Sequence, residues 1–180
     1  MILYHGTSEK NAQRIMVDGF QIDRKYNWKV KSKAGLIYLS LAYAPFYAGC
    51  VKGAGIRGAL IQVEVNEETL YPDEDYIMYT LGFPVYTQEQ LNALDLEHFK
   101  SLYKVSLQYL GNACAKPEDI KILGVRYFSM ERLLLVSDPT ITPINFMIMG
   151  TYYQELTKWI YEGNKPEEFN KSIKDFVERT

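Results

Sequence analysis

Two different periods of apolar and polar positions alternate along the chain. Residues 2–4 (Ile-Leu-Tyr), 36–39 (Leu-Ile-Tyr-Leu) and 59–65 (Ala-Leu-Ile-Gln-Val-Glu-Val) are short apolar runs that predict strands, the third alternating in its second half. After the first run, Ser8 reads as an N-cap, Ala12, Ile15 and Met16 recur at helical spacing, and Gly19 marks the stop. Ser40 predicts the cap of a second short helix through Ala42, Tyr43, Phe46 and Tyr47, ending near Gly49. Beyond the third strand, Pro72-Asp73-Glu74-Asp75 reads as an acidic turn. Thr87 with Gln90 predicts a capping box at the head of one long helix, which runs through Leu91, Leu94, Phe99, Leu102, Tyr103, Leu107 and Leu110 and stops at Gly111. Residues 112–115, 120–128 and 132–136 read as strands. Helices are expected at 144–162 and at 166–178, the latter with Pro166 as its first residue. No repeat or low-complexity segment interrupts this order. The layout is α+β: a domain over 1–140, with a C-terminal helical extension over 141–180 packed on it.

Composition narrows the class. At 180 residues, 47% hydrophobic and 23% charged, the chain can bury a core without disulfide or metal staples. Two cysteines, Cys50 and Cys114, form no CxxC pattern, and with only His5 and His98 no zinc constellation can be assembled, so no metal is expected. No run is long and apolar enough for a membrane span, and the first ten residues do not read as a signal peptide, so a reduced, cytoplasmic protein is expected.

The net charge of −2 conceals an asymmetry. Residues 1–60 hold nine lysines and arginines against three acids, a net of +6; the remainder holds eleven against nineteen, a net of −8. An anionic partner should therefore meet the N-terminal third. Its densest part is residues 24–33, RKYNWKVKSK, where five bases surround Tyr26 and Trp28. Cations there suit phosphates and rings suit bases, which makes Lys25, Trp28, Lys29 and Lys31 candidate nucleic-acid contacts; a solubilising loop is the plainer alternative.

His5 stands at the exit of a strand before Gly6, which lets a ligand approach the backbone, and Thr7 adds a hydroxyl. Taken singly, His5 reads as a turn residue and Tyr38 as core. Together they carry a pattern. LYHGTSEKNAQRIMVDGF, then GLIYLS, then AYAPFYA, resembles the opening of the ADP-ribosyltransferase fold, and within it the His-Tyr-Glu branch that holds the poly-ADP-ribose polymerases, diphtheria toxin and the DarT toxins. The matching positions are His5, Gly6, Thr7, Asn11, Ile15, Gly19, Phe20, Gly35, Ile37, Tyr38, Leu39 and Ser40, over some 45 residues. The acidic turn and the helical tail also look like small phage- or plasmid-borne members of that superfamily.

The resemblance implies a split β-sheet core and an enzyme that cleaves the nicotinamide–ribose bond of NAD and passes ADP-ribose to a nucleophile. It implies that His5 bonds the adenosine ribose, that the Gly6 backbone pairs with the nicotinamide carboxamide, and that Tyr38 stacks on the nicotinamide ring. Thr7, Asn11, Ser40 and Tyr47 are expected in the same NAD site. The family's third residue is a glutamate near the start of a late strand. Glu118 of KPEDIKIL is assigned to it, while Asn112 of LGNACA, which would put an amide there, and Glu74 or Asp75 stay open.

The expected activity is mono-ADP-ribosyl transfer to DNA or RNA by a toxin or phage effector. A protein acceptor, or a non-catalytic ADP-ribose or nucleic-acid binding module, are the alternatives. RNA 2′-phosphotransferases share the fold but need an Arg-His-Arg-Arg set that the matching positions lack. The terminal helices, with Tyr152, Tyr153, Trp159, Ile160, Phe169 and Phe176, read as packing, or as a face for a protein partner such as an antitoxin.

Overall fold

Nine residues, Arg57–Val65, make a strand with six buried positions in its span, and it pairs on both edges. A computed structural model describes residues 1–22, 32–51, 55–80, 82, 87–109, 111–130 and 143–169. The strands are β1 (Ile2–Ser8), β2 (Ile37–Ser40), β3 (Arg57–Val65), β4 (Tyr71–Pro72), β5 (Asn112–Ala115) and β6 (Ile120–Ser129). The helices are α1 (Glu9–Asp18), α2 (Ala44–Cys50), α3 (Glu74–Thr80), α4 (Gln88–Ala93), α5 (Tyr103–Tyr109) and α6 (Pro143–Tyr161). All strand pairings are antiparallel, in the order β4-β5-β2-β1-β3-β6, so the fold is mixed α+β with flanking helices.

Period-two alternation sends β3 side chains to two cores. Ala59, Ile61, Val63 and Val65 meet Leu3, Leu39, Ala12 and Phe20 on the α1 side. Leu60 faces the other way, against Ala44 and Ala48 of α2 and Tyr153, Leu156 and Ile160 of α6. The apolar run Ala59–Ile61 is buried on both faces, and beyond it the strand alternates, with Glu64 exposed. Truncating Leu60 or Ile61, both fully buried, to Ala would cost about 2–5 kcal/mol. The buried Thr157 hydroxyl, 2.7 Å from the Ala42 carbonyl, ties α6 to the turn before α2.

Local signals account for several boundaries. Ser8 Oγ accepts from Asn11 N at 3.3 Å to open α1, and Gly19, at φ 72°, ends it through its N–H on Ile15 O. Thr87 and Gln90 form the reciprocal capping box of α4.

The single long helix expected after Thr87 is instead two helices. Leu94 turns extended, Asp95 Oδ1 captures the Glu97 amide at 3.1 Å, and a 3-10 turn, Lys100–Leu102, precedes α5. A short polar side chain offering the backbone a local acceptor is what stops a helix here. The acidic turn likewise becomes β4 followed by α3. The predicted strand at 132–136 and most of the helix at 166–178 lie outside the described residues.

Candidate active site

The sheet is continuous in order but not in pairing. β1 pairs with β3 through seven positions, Ile2↔Glu64 to Ser8↔Gly58, and β2 with β5 through four, Ile37↔Ala115 to Ser40↔Asn112. Between β1 and β2 there is one pair, Tyr4↔Ser40. Two three-stranded halves are therefore joined by a single backbone pair. Residues of both halves line a cleft of about 1080 Å³, at the upper end of the roughly 300–1,000 Å³ usual for small-molecule sites.

His5 stands on β1, on one side of the cleft. Its Nδ1 lies 2.9 Å from the carbonyl oxygen of Tyr38 on β2. A carbonyl only accepts, so Nδ1 carries the proton, and burial holds the ring's pKa below its usual 6.5 despite the opposing pull of that bond. The imidazole is thus neutral at pH 7, with Nε2 left as an acceptor. Phe20 holds it edge-on at 5.2 Å. Thr7 and Asn11 follow along the wall, Asn11 Nδ2 donating to Thr7 Oγ1 at 3.3 Å.

Gly6 also lines the cleft, but a packing contact dictates its residue type. A β-carbon there would lie 1.7 Å from the Ala44 carbonyl oxygen, because the start of α2 crosses directly over it.

Tyr38 lines the opposite wall. Its hydroxyl donates to Glu74 Oε1 at 2.5 Å and accepts from Lys33 N at 2.8 Å, which fixes the ring from its far end. Burial, followed by the nearby Cys114, Glu74 and Asp73, pushes the phenol's pKa well up, so it stays a donor. Tyr47, from α2, receives an N–H from Asn112 Nδ2 at the head of β5.

Three successive acids close the floor, at the junction of β4 and α3. Burial raises Asp73, with Glu74 and Asp75 adding like-charge repulsion. Burial also raises Glu74, against the lowering by Tyr38's hydroxyl, and raises Asp75. Among the described lining residues, Arg14 carries the permanent positive charge.

His5, Gly6, Thr7, Asn11, Tyr38 and Tyr47 thus share one cleft. Two expected residues stand elsewhere. Ser40, only 1% exposed, spends its hydroxyl on the Ala42 and Tyr43 amides and the Gly111 carbonyl, so it builds the turn into α2 rather than a ligand wall. Glu118 lies in the 3-10 turn Pro117–Asp119, which Lys116 separates from β5, and it is exposed and outside the cleft lining. Asn112, the first residue of β5, lines the cleft.

Lys25, Trp28, Lys29 and Lys31 lie outside the described residues. Arg14, Phe46, Val51 and Asp73 are cleft residues that sequence patterning did not single out. The signal for Asp73 was the unbroken run of acids between apolar neighbours, which is as common in solvated turns.

The Cys114 thiol is buried and its pKa pushed well up by that burial, so it is a poor nucleophile. Among the described residues no group of three or more His, Cys, Asp or Glu side chains is arranged to hold a metal, and no helix is long and apolar enough to cross a membrane. Compared with protein-family models, with curated proteins and with solved structures, the chain matches none.

Proposed function

We propose that the protein is an NAD-dependent mono-ADP-ribosyltransferase of the His-Tyr-Glu type, which cleaves the bond between nicotinamide and ribose and transfers ADP-ribose to a nucleic acid. One observation carries this reading: the neutral imidazole of His5 and the anchored ring of Tyr38 front one cleft lined by both halves of the sheet. A split sheet is also what the sequence resemblance implies.

The chemistry suits these groups. In the reaction the C1′–nitrogen bond breaks, its electron pair neutralises the pyridinium, and positive charge collects on the ribose. The acceptor then bonds to C1′ and gives up its proton to solvent. His5 Nε2, an acceptor in this tautomer, takes a hydrogen bond from the adenosine ribose. The Tyr38 ring offers a flat face to the nicotinamide, held still by Glu74 and Lys33. Glu74, when ionised, favours a developing cation on the ribose. Arg14 serves the pyrophosphate. Most of the rate then comes from positioning and electrostatics.

The nucleic-acid acceptor rests on the basic, aromatic segment at 24–33. Labelled NAD incubated with the protein and DNA, RNA or a protein mixture tests the whole reading. Expected are free nicotinamide and label that nuclease removes. Protease-sensitive label would move the acceptor to protein, binding without nicotinamide release would leave a binding module, and neither release nor binding would overturn the reading.

A further inference from the structure

Two oxygens in the cleft wall are buried without a partner among the described residues: Glu74 Oε2 and Asn112 Oδ1. Their residues are 2% and 6% exposed, and both line the cleft. Each side chain is pinned through its other atom. Glu74 Oε1 accepts from the Tyr38 hydroxyl and from Lys33 N at 3.2 Å. The Asn112 amide nitrogen donates to the Tyr47 hydroxyl, and the Asn112 side chain also hydrogen-bonds the Asp73 carboxyl. Asp73, which Asn112 meets, precedes Glu74 in the chain, and all three residues line the cleft. Buried acceptors without a partner, on cleft-lining side chains otherwise held in place, call for donors from a ligand.

We propose that Glu74, carried on a helix rather than on a strand, is the catalytic carboxylate of this enzyme, and that Glu74 Oε2 and Asn112 Oδ1 together receive the 2′- and 3′-hydroxyls of the ribose that is cleaved. This rests on the transferase reading above. A vicinal diol offers two O–H donors on one rigid ring, which matches two acceptors in one cleft. Asn112, at the head of β5 opposite Ser40, can accept a hydroxyl but brings no charge. Glu74 brings the charge, next to the ring on which the leaving group stacks. The role held in the resembled family by one strand glutamate is here divided between an amide on the strand and a carboxylate beside it.

The test uses the full chain, NAD, and NAD lacking the 2′-hydroxyl on the nicotinamide ribose. Glu74→Gln should lower nicotinamide release by about 10²–10³-fold while NAD still binds. Glu118→Gln should leave release unchanged. Wild type should bind NAD more tightly than the deoxy compound, and Asn112→Ala should narrow that difference. Thermal melts establish that each variant is folded; Asn112→Ser, smaller in its disturbance, replaces Asn112→Ala if the latter is not. Full turnover in Glu74→Gln, or its loss in Glu118→Gln, overturns the assignment while leaving the transferase reading intact. Absent nicotinamide release in wild type overturns the transferase reading itself. Equal wild-type affinity for NAD and its deoxy form overturns the diol site.

Discussion

Tyr38 and Glu74, distant in sequence, meet through a phenol-to-carboxylate hydrogen bond of 2.5 Å. That bond lowers the carboxyl's proton affinity while burial raises it, and burial is the larger effect. Tyr38→Phe keeps the ring and removes the lowering contact, so Glu74 should hold its proton to higher pH. The acid limb of the nicotinamide-release profile should move up by about one pH unit. Asp73 and Asp75 share this wall, and Tyr47 faces it from α2, so the profile is to be compared between variants at fixed ionic strength. An unmoved limb would separate Glu74 from the rate.

Stability should carry the same signature. A carboxyl whose pKa is raised in the folded state binds its proton more tightly folded than unfolded. Its contribution is present below the unfolded value and lost as pH rises through the folded one. Wild type should therefore weaken between mildly acid and neutral pH. Glu74→Gln should flatten that fall and gain roughly 1–3 kcal/mol at neutral pH while losing activity. Urea midpoints at several pH values check this. A variant that loses stability at neutral pH would contradict it.

Gly6→Ala is expected to be damaging with no ligand present. The new methyl would collide with the Ala44 carbonyl, backbone against backbone, and α2 would have to shift. A cost on the order of 3 kcal/mol is expected, read as a lowered denaturation midpoint of the unliganded protein. An unchanged midpoint would mean that α2 does not pack there.

Arg14→Ala should raise KM for NAD about tenfold with kcat nearly unchanged, since a phosphate contact made equally in ground and transition states is uniform binding. Steady-state kinetics at low salt check it. A fall in kcat alone would give Arg14 a different task.

How far the sequence reached depended on whether a signal is local. The Ser8 and Gly19 bracket of α1, the Thr87–Gln90 box and the run that becomes β5 involve neighbours a few positions apart, and all three are visible in the structure. His5 and Tyr38 could be paired because a longer pattern links them. The acids could not be sorted in this way. Glu118 and Glu74 both stand within two residues after a proline, and only the placing of α3 against the cleft buries one while the 3-10 turn leaves the other exposed. Asp95 ended a helix that apolar spacing alone carried through. Burial of a charge is a tertiary event, which no short window of residues records.

The lone pairing of Tyr4 with Ser40 makes the two sheet halves a hinge with one rivet. A dinucleotide lodged beside that rivet would bridge both leaves, so occupancy rather than backbone ladder would set how stiffly they move together. Amide exchange along β1 and β2 would then slow on loading, and the bound dinucleotide would become a structural crosspiece of the sheet.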